Sequence, residues 1–500
     1  MKVFLLHKGR DFDWQGKLPP VEKALTQDLE LNILLDAMAR GDRFLLDVAK
    51  KVVLSSLKDP EEIRYRQQVL GDCLRQSAIV REIYEIAVEA IETEKKVWLG
   101  LFSQSPDAIL HRSLDLLQLL IGVLKKLRHI ADEHAARFES EGFAVFFAML
   151  AKELDDEYFL EMAAHLRQLR FRDGILISAG LAKGLKGTHY LLHKVPKLTW
   201  LQRVSLVMDR SAYTFRIAER DETGARMLGE LKDRGTNLVA NALAQSTDHI
   251  KSFFTMLRSE VGFYLGCLNL HEQLAQKAEP TCFPLPGALG TLALSFHGLY
   301  DVSLALRVQQ RVVGNDVAAD HKSLVMITGA NQGGKSTFLR SVGLAQLMMQ
   351  CGMFVPANAF SSSVSEGIFT HFKREEDATM KSGKLDEELS RMNDIADNIT
   401  ANCVLLCNES FASTNEREGS EIARQIIRAL LEASVKVFFV THLFDLAQGF
   451  YVQQMDDTLF LRADRQPDGQ RTFRLIEGEP LPTSYGEDVY KRIFGGVPAE

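Results

Sequence analysis

The chain has 500 residues, of which 46% are hydrophobic and 25% are charged, a composition typical of a globular protein with several domains. Its formal net charge of −7 gives no global reason to expect nucleic-acid binding. No apolar stretch is long enough to cross a bilayer, and the apolar stretch at the N-terminus is too short for a signal peptide. We therefore expect a cytoplasmic protein with no membrane partner.

Long helices are predicted for much of the first half of the chain. Residues 21–170 contain few prolines and glycines, and their apolar residues recur at helical spacing. The pattern breaks at Asp59 and Pro60, where the aspartate can cap a helix and the proline can occupy its first position. Residues 226–278 return to the same spacing, which predicts further long helix there.

The region between these helical stretches has a different pattern. Alternating runs at 175–178, 189–193 and 213–217 are separated by glycines, which predicts short strands. Residues 163–212 contain only two acidic residues and have a local charge of +7. The basic residues are Arg167, Arg170, Arg172, Lys183, Lys186, Lys194, Lys197, Arg203 and Arg210. Such a segment is either an electrostatic footprint for a polyanion or a solvated basic surface, and charge alone does not separate the two.

A stretch with several prolines, residues 279–286, predicts a domain boundary. After it, apolar runs typical of strands alternate with helical patterns up to about residue 478. We therefore predict a mainly helical domain over residues 1–278 and an α/β domain over residues 287–500.

The α/β region contains a glycine-rich motif between an apolar run, 324–328, and a helical stretch, 337–349. Strand, glycine-rich turn and helix form the context in which a G-x-x-x-x-G-K-S match becomes a phosphate-binding loop. The predicted nucleotide-binding residues are Gly329, Ala330, Asn331, Gln332, Gly333, Gly334, Lys335, Ser336 and Thr337.

Each part of this motif has a chemical role in binding a nucleoside triphosphate. The glycines let backbone N–H groups converge on phosphate oxygens, and the helix N-terminus adds partial positive charge. Lys335 is expected to reach the β- and γ-phosphates, and the Ser336 hydroxyl is expected to hold Mg²⁺. The alternative is a loop and helix start that bind no ligand.

Two further apolar runs end in candidate catalytic residues. The run 403–407 has the form of a Walker B strand and ends in Asn408 and Glu409. Glu409 occupies the position of the base that polarises the attacking water, whereas Asn408 replaces the usual aspartate near Mg²⁺ with an uncharged amide. The run 435–440 leads to His442, which is either a γ-phosphate-sensing residue or a core or capping histidine.

Ser382 and Gly383 precede a predicted helix whose first turn carries Asp386 and Glu387. One interpretation is a well-capped acidic helix. The other is a helix N-terminus offered to the γ-phosphate in another subunit.

Together these residues resemble the MutS family of ABC-type ATPases. The loop Thr328–Thr337 is similar to the family's T-G-P-N-M-G-G-K-S-T. Other similar segments are Leu57–Arg64, Val312–Asp316, Ile368–Thr370, Asn408–Gly419, Thr441–Asp445, Phe473–Leu475 and Ser484–Gly486. The resemblance implies a multidomain fold: a long-helix α core and lever domain with a small β-containing basic insertion, followed by an α/β ABC-type P-loop ATPase domain. It assigns the insertion, residues 163–225, to a reduced DNA clamp.

The chain also departs from the family's pattern. It begins near the lever, which implies that the mismatch-recognition and connector domains are missing, and no nuclease domain is appended. Lys384 and Gly383 stand where the signature segment has Ser-Thr, and Val312 stands where an aromatic stacks on adenine. With Asn408 in Walker B, the resemblance implies ATP hydrolysis at a reduced rate.

The leading hypothesis is a MutS-like ATPase that binds ATP and Mg²⁺ and acts as a nucleotide-gated homodimer. It is expected to contact DNA through backbone or shape rather than mismatch readout, in DNA repair or recombination, with other repair proteins as further partners. The alternative is a nucleotide-gated protein-interaction scaffold with slow or no hydrolysis.

Overall fold

The computed structural model describes residues 1–98, 105–172, 174–184, 186–195, 216–374, 383–466 and 470–481. The chain packs into two compact units. The first contains Met1–Val3, Ala78–Phe138 and Phe143–Ser259, and the second contains Phe4–Ser77, Glu139–Gly142 and Glu260–Glu500. The predicted boundary between residues 278 and 287 stays a prediction. The two packing units do not divide the chain at that boundary, because residues 4–77 belong to the same unit as the nucleotide-binding motifs.

Helices dominate the described chain up to residue 276, as the apolar spacing predicts. They are α1 (Glu22–Asp28), α2 (Leu31–Ala39), α3 (Arg43–Leu54), α4 (Pro60–Arg75), α5 (Ser77–Trp98), α6 (Pro106–His134), α7 (Glu141–Glu153), α8 (Asp156–Leu169) and α9 (Glu222–Gln276). The predicted start of α4 is confirmed: the Asp59 carboxylate accepts a hydrogen bond from the amide of Glu61, and Pro60 is the first helical residue.

A β-hairpin in the first unit confirms two of the three predicted short strands. Strands β1 (Leu176–Leu181) and β2 (Gly187–His193) pair antiparallel, with Leu176 opposite His193. The guanidinium of Arg234, in α9, lies 5.8 Å from the ring centroid of Tyr190, so the hairpin packs against that helix. The third predicted strand, 213–217, lies largely outside the described residues.

The second unit carries its sequence motifs on a sheet of six strands within the described residues. In spatial order these are β12 (Arg471–Glu477), β11 (Thr458–Arg465), β6 (Leu324–Gly329), β10 (Lys436–Val440), β9 (Val404–Asn408) and β8 (Ile368–Phe372). Neighbouring strands are parallel except for β11 and β12. Carboxyl ends of parallel strands lie at one edge of a sheet, so the residues that follow β6, β9 and β10 meet there.

A second sheet and five helices complete the described part of this unit. The sheet has the order β3 (Leu285–Gly287), β7 (Ala359–Ser363), β4 (Leu294–Leu299) and β5 (Asn315–Ala318). The helices are α10 (Val302–Arg307), α11 (Lys335–Gln350), α12 (Lys384–Ala396), α13 (Glu416–Glu432) and α14 (Phe444–Tyr451). The alternation of strands and helices that the sequence predicts after residue 286 is therefore present.

Buried apolar side chains fix the strands whose ends carry the motifs. Leu405 of β9 and Phe439 of β10 belong to one core cluster with Ile427 of α13 and Phe450 of α14, and all four are 1% exposed or less. Removing such side chains from water contributes about 1.5–3 kcal/mol each. The strand ends are thus held on a rigid scaffold.

The N-terminal segment of the second unit wraps around a buried carboxylate. Glu260 Oε2 accepts hydrogen bonds from the amides of Leu5 (2.7 Å) and Leu6 (3.0 Å), and Oε1 accepts one from the amide of Phe12 (3.4 Å). Burial raises the pKa of Glu260 to about 7, although these amides favour the charged form. The buried Arg66 donates to the carbonyl oxygen of Leu6 and so ties α4 to the same segment.

Two chain-wide properties complete the description of the fold. Among the described residues, no helix combines the length and the apolarity that a membrane span requires. All six cysteines are free thiols, and five of them are buried.

Candidate nucleotide-binding site

The glycine-rich loop follows β6 and leads directly into α11. Gly329 has a φ of 106°, and Gly334, the N-cap residue of α11, has a φ of 89°. Both values lie in the left-handed region that favours glycine. A Cβ on Gly329 would also lie 2.8 Å from the amide nitrogen of Ala463. The conformation of the loop therefore depends on these glycines.

Lys335 is folded back onto its own loop. Its Nζ donates hydrogen bonds to the carbonyl oxygens of Gly329 (3.0 Å) and Ala330 (2.9 Å). Burial lowers the pKa of Lys335 to about 8; Arg471 acts in the same direction, and Glu409 opposes it. The loop itself thus supplies the partners of this buried ammonium group.

Ser336 and Asn408 meet at the ends of α11 and β9. The Ser336 hydroxyl donates a hydrogen bond to Oδ1 of Asn408, with 3.0 Å between the two oxygens. Hydroxyl and amide oxygens are hard ligands of the kind that Mg²⁺ accepts, and Mg²⁺ usually keeps several waters and binds substrate phosphates. This pair fits such an ion, but neither side chain contributes negative charge.

Glu409 and His442 form the second polar pair of the site. His442 Nε2 lies 3.1 Å from Glu409 Oε1. The hydrogen bond with His442 lowers the pKa of Glu409, while burial opposes the shift. The amide of Glu409 also donates to the carbonyl oxygen of Val440, the last residue of β10. The neighbouring strands β9 and β10 thus bring together two residues that are distant in sequence.

A cavity of about 810 Å³ opens beside the loop. Most of the predicted nucleotide-binding residues line it, and so does Glu409. Those residues are Asn331, Gln332, Gly333, Gly334, Lys335, Ser336 and Thr337. Gly329 and Ala330 lie behind them as the acceptors for Lys335. The volume is in the range of cavities that hold small molecules and cofactors.

Sequence reasoning from the motifs missed several residues of this cavity. Phe473 of β12, Tyr300 and Asp301 all line it. Val312, which the sequence analysis did name as standing where the resemblance implies an adenine-stacking aromatic, lines it too. Phe473 is 51% exposed although it is a large aromatic residue. The one sequence signal for Phe473 is that it lies in Phe473–Leu475, a segment similar to the tail of the family's motif. That similarity does not indicate a role for the ring.

Asn315 fixes the strand that carries Phe473. Its Oδ1 accepts a hydrogen bond from the amide of Leu475 (2.7 Å), and its Nδ2 lies 3.5 Å from the carbonyl oxygen of Phe473. Phe473 has a φ of 59°, which a residue with a side chain adopts at a cost. The buried Asn315 amide therefore supports an unusual backbone conformation beside the cavity.

Comparisons with known families agree with this geometry. A family model described as MutS2 N-terminal domain matches residues 58–277, and one described as MutS domain V matches residues 325–499. This chain is a MutS-like protein. The second match contains the glycine-rich loop, Asn408, Glu409 and His442.

Curated relatives of this MutS-like protein carry the same family name. DNA mismatch repair protein MutS of Lactobacillus delbrueckii subsp. bulgaricus is 28% identical over 290 residues, which cover 54% of this chain and 33% of that protein. The protein of the same name from Thermotoga maritima is 32% identical over 194 residues, or 38% of this chain and 24% of that protein. Human MutS protein homolog 4 is 24% identical over 240 residues, or 47% and 25%. The chain thus spans a third or less of the length of these relatives.

The predicted signature segment of the MutS-like protein is described only in part. Gly383 is the N-cap residue of α12 and has extended backbone, with Asp386 and Glu387 in the first helical turn. Ser382 lies outside the described residues. Gly383 is not among the described residues that line the cavity.

The basic region of the MutS-like protein lies in the first unit. Lys183 and Lys186 are exposed at the turn of the β1–β2 hairpin, and Lys194, which follows β2, is also exposed. Lys197, Arg203 and Arg210 lie outside the described residues. The described lysines are thus exposed on or next to the hairpin rather than buried in a core.

Proposed function

We propose that this MutS-like protein binds and hydrolyses ATP with Mg²⁺, acts as a nucleotide-gated homodimer and contacts DNA in repair or recombination. One observation carries the ATPase part. One cavity is lined by the Lys335 loop and by Glu409, and outside its lining Asn408 is hydrogen-bonded to Ser336 and His442 to Glu409. The names of the curated relatives, DNA mismatch repair protein MutS among them, support the DNA part.

The roles of the residues follow from their positions. The loop amides and Lys335 bind the phosphates, and Lys335 must leave the carbonyl oxygens of Gly329 and Ala330 to do so. Ser336 and Asn408 would hold Mg²⁺, which supplies positive charge at the phosphate oxygens. Glu409, kept ionised by its hydrogen bond with His442, orients and polarises the attacking water. Positioning and charge, rather than covalent chemistry, drive this reaction.

The dimer part of the proposal concerns the start of α12. Among the residues that the structure describes, which leave out 375–382, Gly383 has no heavy atom within 4 Å of the position that a Cβ would take. The backbone amides of this helix start can face an anion, because the N-terminus of a helix carries partial positive charge. We place the γ-phosphate of the other subunit there, so that ATP joins two subunits and its hydrolysis releases them.

Isothermal titration with ATP and phosphate-release assays test the ATPase part. Lys335→Ala should abolish ATP binding, whereas Glu409→Gln should preserve binding and lower turnover about 100-fold or more, a typical contribution of a general base. Glu421→Gln is the matched control, because Glu421 is an exposed glutamate on α13 that contacts Arg424 and Gln425. Wild-type turnover in Glu409→Gln would show that the role of Glu409 is wrong.

The oligomeric state tests the dimer part. Sedimentation velocity of Glu409→Gln should show a shift from monomer to dimer when ATP and Mg²⁺ are added together. Gly383→Asp places a negative charge at the helix start and should weaken this dimer. An unchanged sedimentation profile with ATP and Mg²⁺ would contradict gating by nucleotide.

DNA affinity measured across a salt series tests the DNA part, with duplex and branched DNA as probes. Because we expect backbone contacts, affinity should fall steeply with salt. Replacing Lys183 and Lys186 by alanine should reduce the salt slope by about two phosphate contacts. The control replaces Lys8 and Lys126, which are exposed and paired with glutamates elsewhere. No measurable binding at low salt, with or without ATP, would contradict this part of the proposal.

The alternative is a nucleotide-gated scaffold that binds other proteins and hydrolyses ATP slowly or not at all. The uncharged Ser336 and Asn408 pair favours it, because the pair adds no negative charge for Mg²⁺. The ionised Glu409, held by His442, favours hydrolysis instead. The two proposals differ in what they predict for Asn408→Asp, which adds a negative charge. The scaffold alternative predicts an unchanged biological output, and the ATPase proposal predicts a changed one.

A further inference from the structure

His371 connects α12 to the loop that carries Glu409. It is fully buried in β8, next to β9. Its Nε2 lies 3.0 Å from the carbonyl oxygen of Glu388, in α12, and its Nδ1 lies 2.7 Å from Oγ of Ser410, the residue after Glu409. One imidazole therefore contacts both elements.

The protonation state of His371 sets the direction of these hydrogen bonds. Burial, with Arg391 and Arg374 nearby, lowers the pKa of His371 to about 4, so the ring is neutral at neutral pH. A carbonyl oxygen can only accept, so Nε2 carries the proton and donates to Glu388, which leaves Nδ1 to accept from Ser410. The one Ser410 hydroxyl proton is shared between Nδ1 and the carbonyl oxygen of His371, which lies 2.8 Å from Oγ, so both acceptors belong to His371.

Further polar contacts attach α12 to the same region. The Ser413 hydroxyl donates to Oε1 of Glu388 (3.0 Å), and Arg391 donates to the carbonyl oxygen of Phe372 (2.8 Å). Glu388 is 3% exposed and Ser410 is fully buried, so water does not compete for these groups. A movement of α12 relative to β8 must therefore break these hydrogen bonds or move the loop.

The loop itself adopts a backbone conformation that needs support. Glu409 has a φ of 55° and Phe411 has a φ of 62°, both uncommon for residues with side chains. Such conformations persist where the surrounding structure imposes them. Ser410 lies between the two, and the ring of Phe411 stacks on His371 with centroids 5.4 Å apart. His371 thus contacts both residues that follow the catalytic carboxylate.

We propose that His371 is a positioning residue that couples the placement of α12 to the orientation of the Glu409 carboxylate. The inference rests on the proposed function, because it assumes that Glu409 acts in ATP hydrolysis. His371 does not line the cavity, so it touches neither ATP nor the attacking water. Its effect passes through Ser410 on one side and the backbone of Glu388 on the other.

A double-mutant cycle on His371 and Ser410 tests this coupling. His371→Gln is neutral, and its amide nitrogen can take the place of Nε2 and donate to Glu388. Its amide oxygen is two bonds from Cγ, whereas Nδ1 is bonded to Cγ directly, so no acceptor occupies the position that faces Ser410. Ser410→Ala removes the other end of the same link. Each variant should lower kcat at least about tenfold, equal to about 1.4 kcal/mol, and leave the Kd for ATP within about twofold. The double variant should be no slower than the slower single variant, since either change breaks the link.

Ile427→Val controls for loss of stability. Ile427 of α13 is buried in the core cluster and does not line the cavity, so this variant should lower Tm and leave kcat unchanged. Wild-type kcat in His371→Gln, or multiplicative losses in the double variant, would overturn the inference while the ATPase proposal stands. A wild-type rate no higher than that of Lys335→Ala would instead overturn the ATPase proposal and this inference with it.

Discussion

The Ser336 hydroxyl donates a hydrogen bond of 3.0 Å to the amide oxygen of Asn408. Two uncharged side chains thus face each other where the site would hold Mg²⁺. Phosphates and water must then supply most of the ligands, and the protein adds little attraction of its own. We therefore expect the side chain at position 408 to set the Mg²⁺ concentration that the site requires.

Asn408→Asp should lower the Mg²⁺ concentration that gives the half-maximal ATPase rate. An added carboxylate next to a divalent cation gains Coulomb energy, and we expect a shift of about tenfold even after solvent screening. The measurement is phosphate release across a Mg²⁺ titration at saturating ATP. Asn408→Ala is the control and should shift the midpoint the other way. If Asn408→Asp changes neither the midpoint nor the biological output, the scaffold alternative gains support.

ATP affinity should fall as pH rises through about 8. Lys335 has a pKa of about 8 in the nucleotide-free site, so its ammonium group, which attracts phosphate, is progressively lost above that value. If ATP binds only when Lys335 is protonated, the apparent Kd for ATP should rise by up to about tenfold per pH unit above pH 8. Titration calorimetry from pH 7 to 9.5 measures this. Lys335→Arg keeps its charge throughout and should bind with a flat pH profile, although its geometry weakens binding overall.

Phe473→Ala should weaken ATP binding, because the exposed ring lines the cavity and offers a flat face to the base. Stacking of a base on an aromatic ring contributes about 1–3 kcal/mol, so the Kd should rise about 5- to 150-fold. Phe473→Tyr keeps the ring and should bind like the wild type. Equal losses of affinity for ATP and for inorganic triphosphate in Phe473→Ala would show that the ring does not contact the base.

Stability should fall between about pH 5 and 7 because of Glu260. Its pKa rises from 4.5 in the unfolded chain to about 7 in the folded one, so the folded state holds a proton that the unfolded state has lost. The contribution of Glu260 to the free energy of unfolding is fully present below about pH 4.5. It is lost as pH rises through 7, and the loss is ~3 kcal/mol at most. Urea denaturation of wild type and Glu260→Gln across this range should show the difference, since the amide does not titrate. Parallel pH curves for the two proteins would contradict the prediction.

Local sequence patterns were sufficient to predict the elements whose conformation depends on residues that are close in sequence. The helix start at Asp59 and Pro60 depends on neighbours two residues away, and the glycine-rich loop depends on spacing within eight residues. The strands that end in Asn408 and at Val440 could be predicted, because buried parallel strands are continuous apolar runs. Their residues could then be expected at one edge of a sheet.

Contacts between distant segments could not be predicted in the same way. Nothing near Glu260 in sequence indicates that its carboxylate binds the amides of Leu5 and Leu6. Likewise, β8 reads as an apolar strand, and the sequence gives no sign that His371 reaches both α12 and Ser410. These pairings are set by tertiary packing, which a single sequence does not display.

The hydrogen bonds between Glu260 and the N-terminal segment also order events during synthesis. Leu5 and Leu6 are synthesised before residues 78–259, but their acceptor, Glu260, emerges only after that stretch of the chain has been made. Residues 78–259, interrupted only by residues 139–142, can complete their core first, because domains fold as units while the chain is still growing. The segment 4–77 must wait for chain that has not yet been translated. The unit that holds the nucleotide site can therefore be completed only after residues 78–259 have been made.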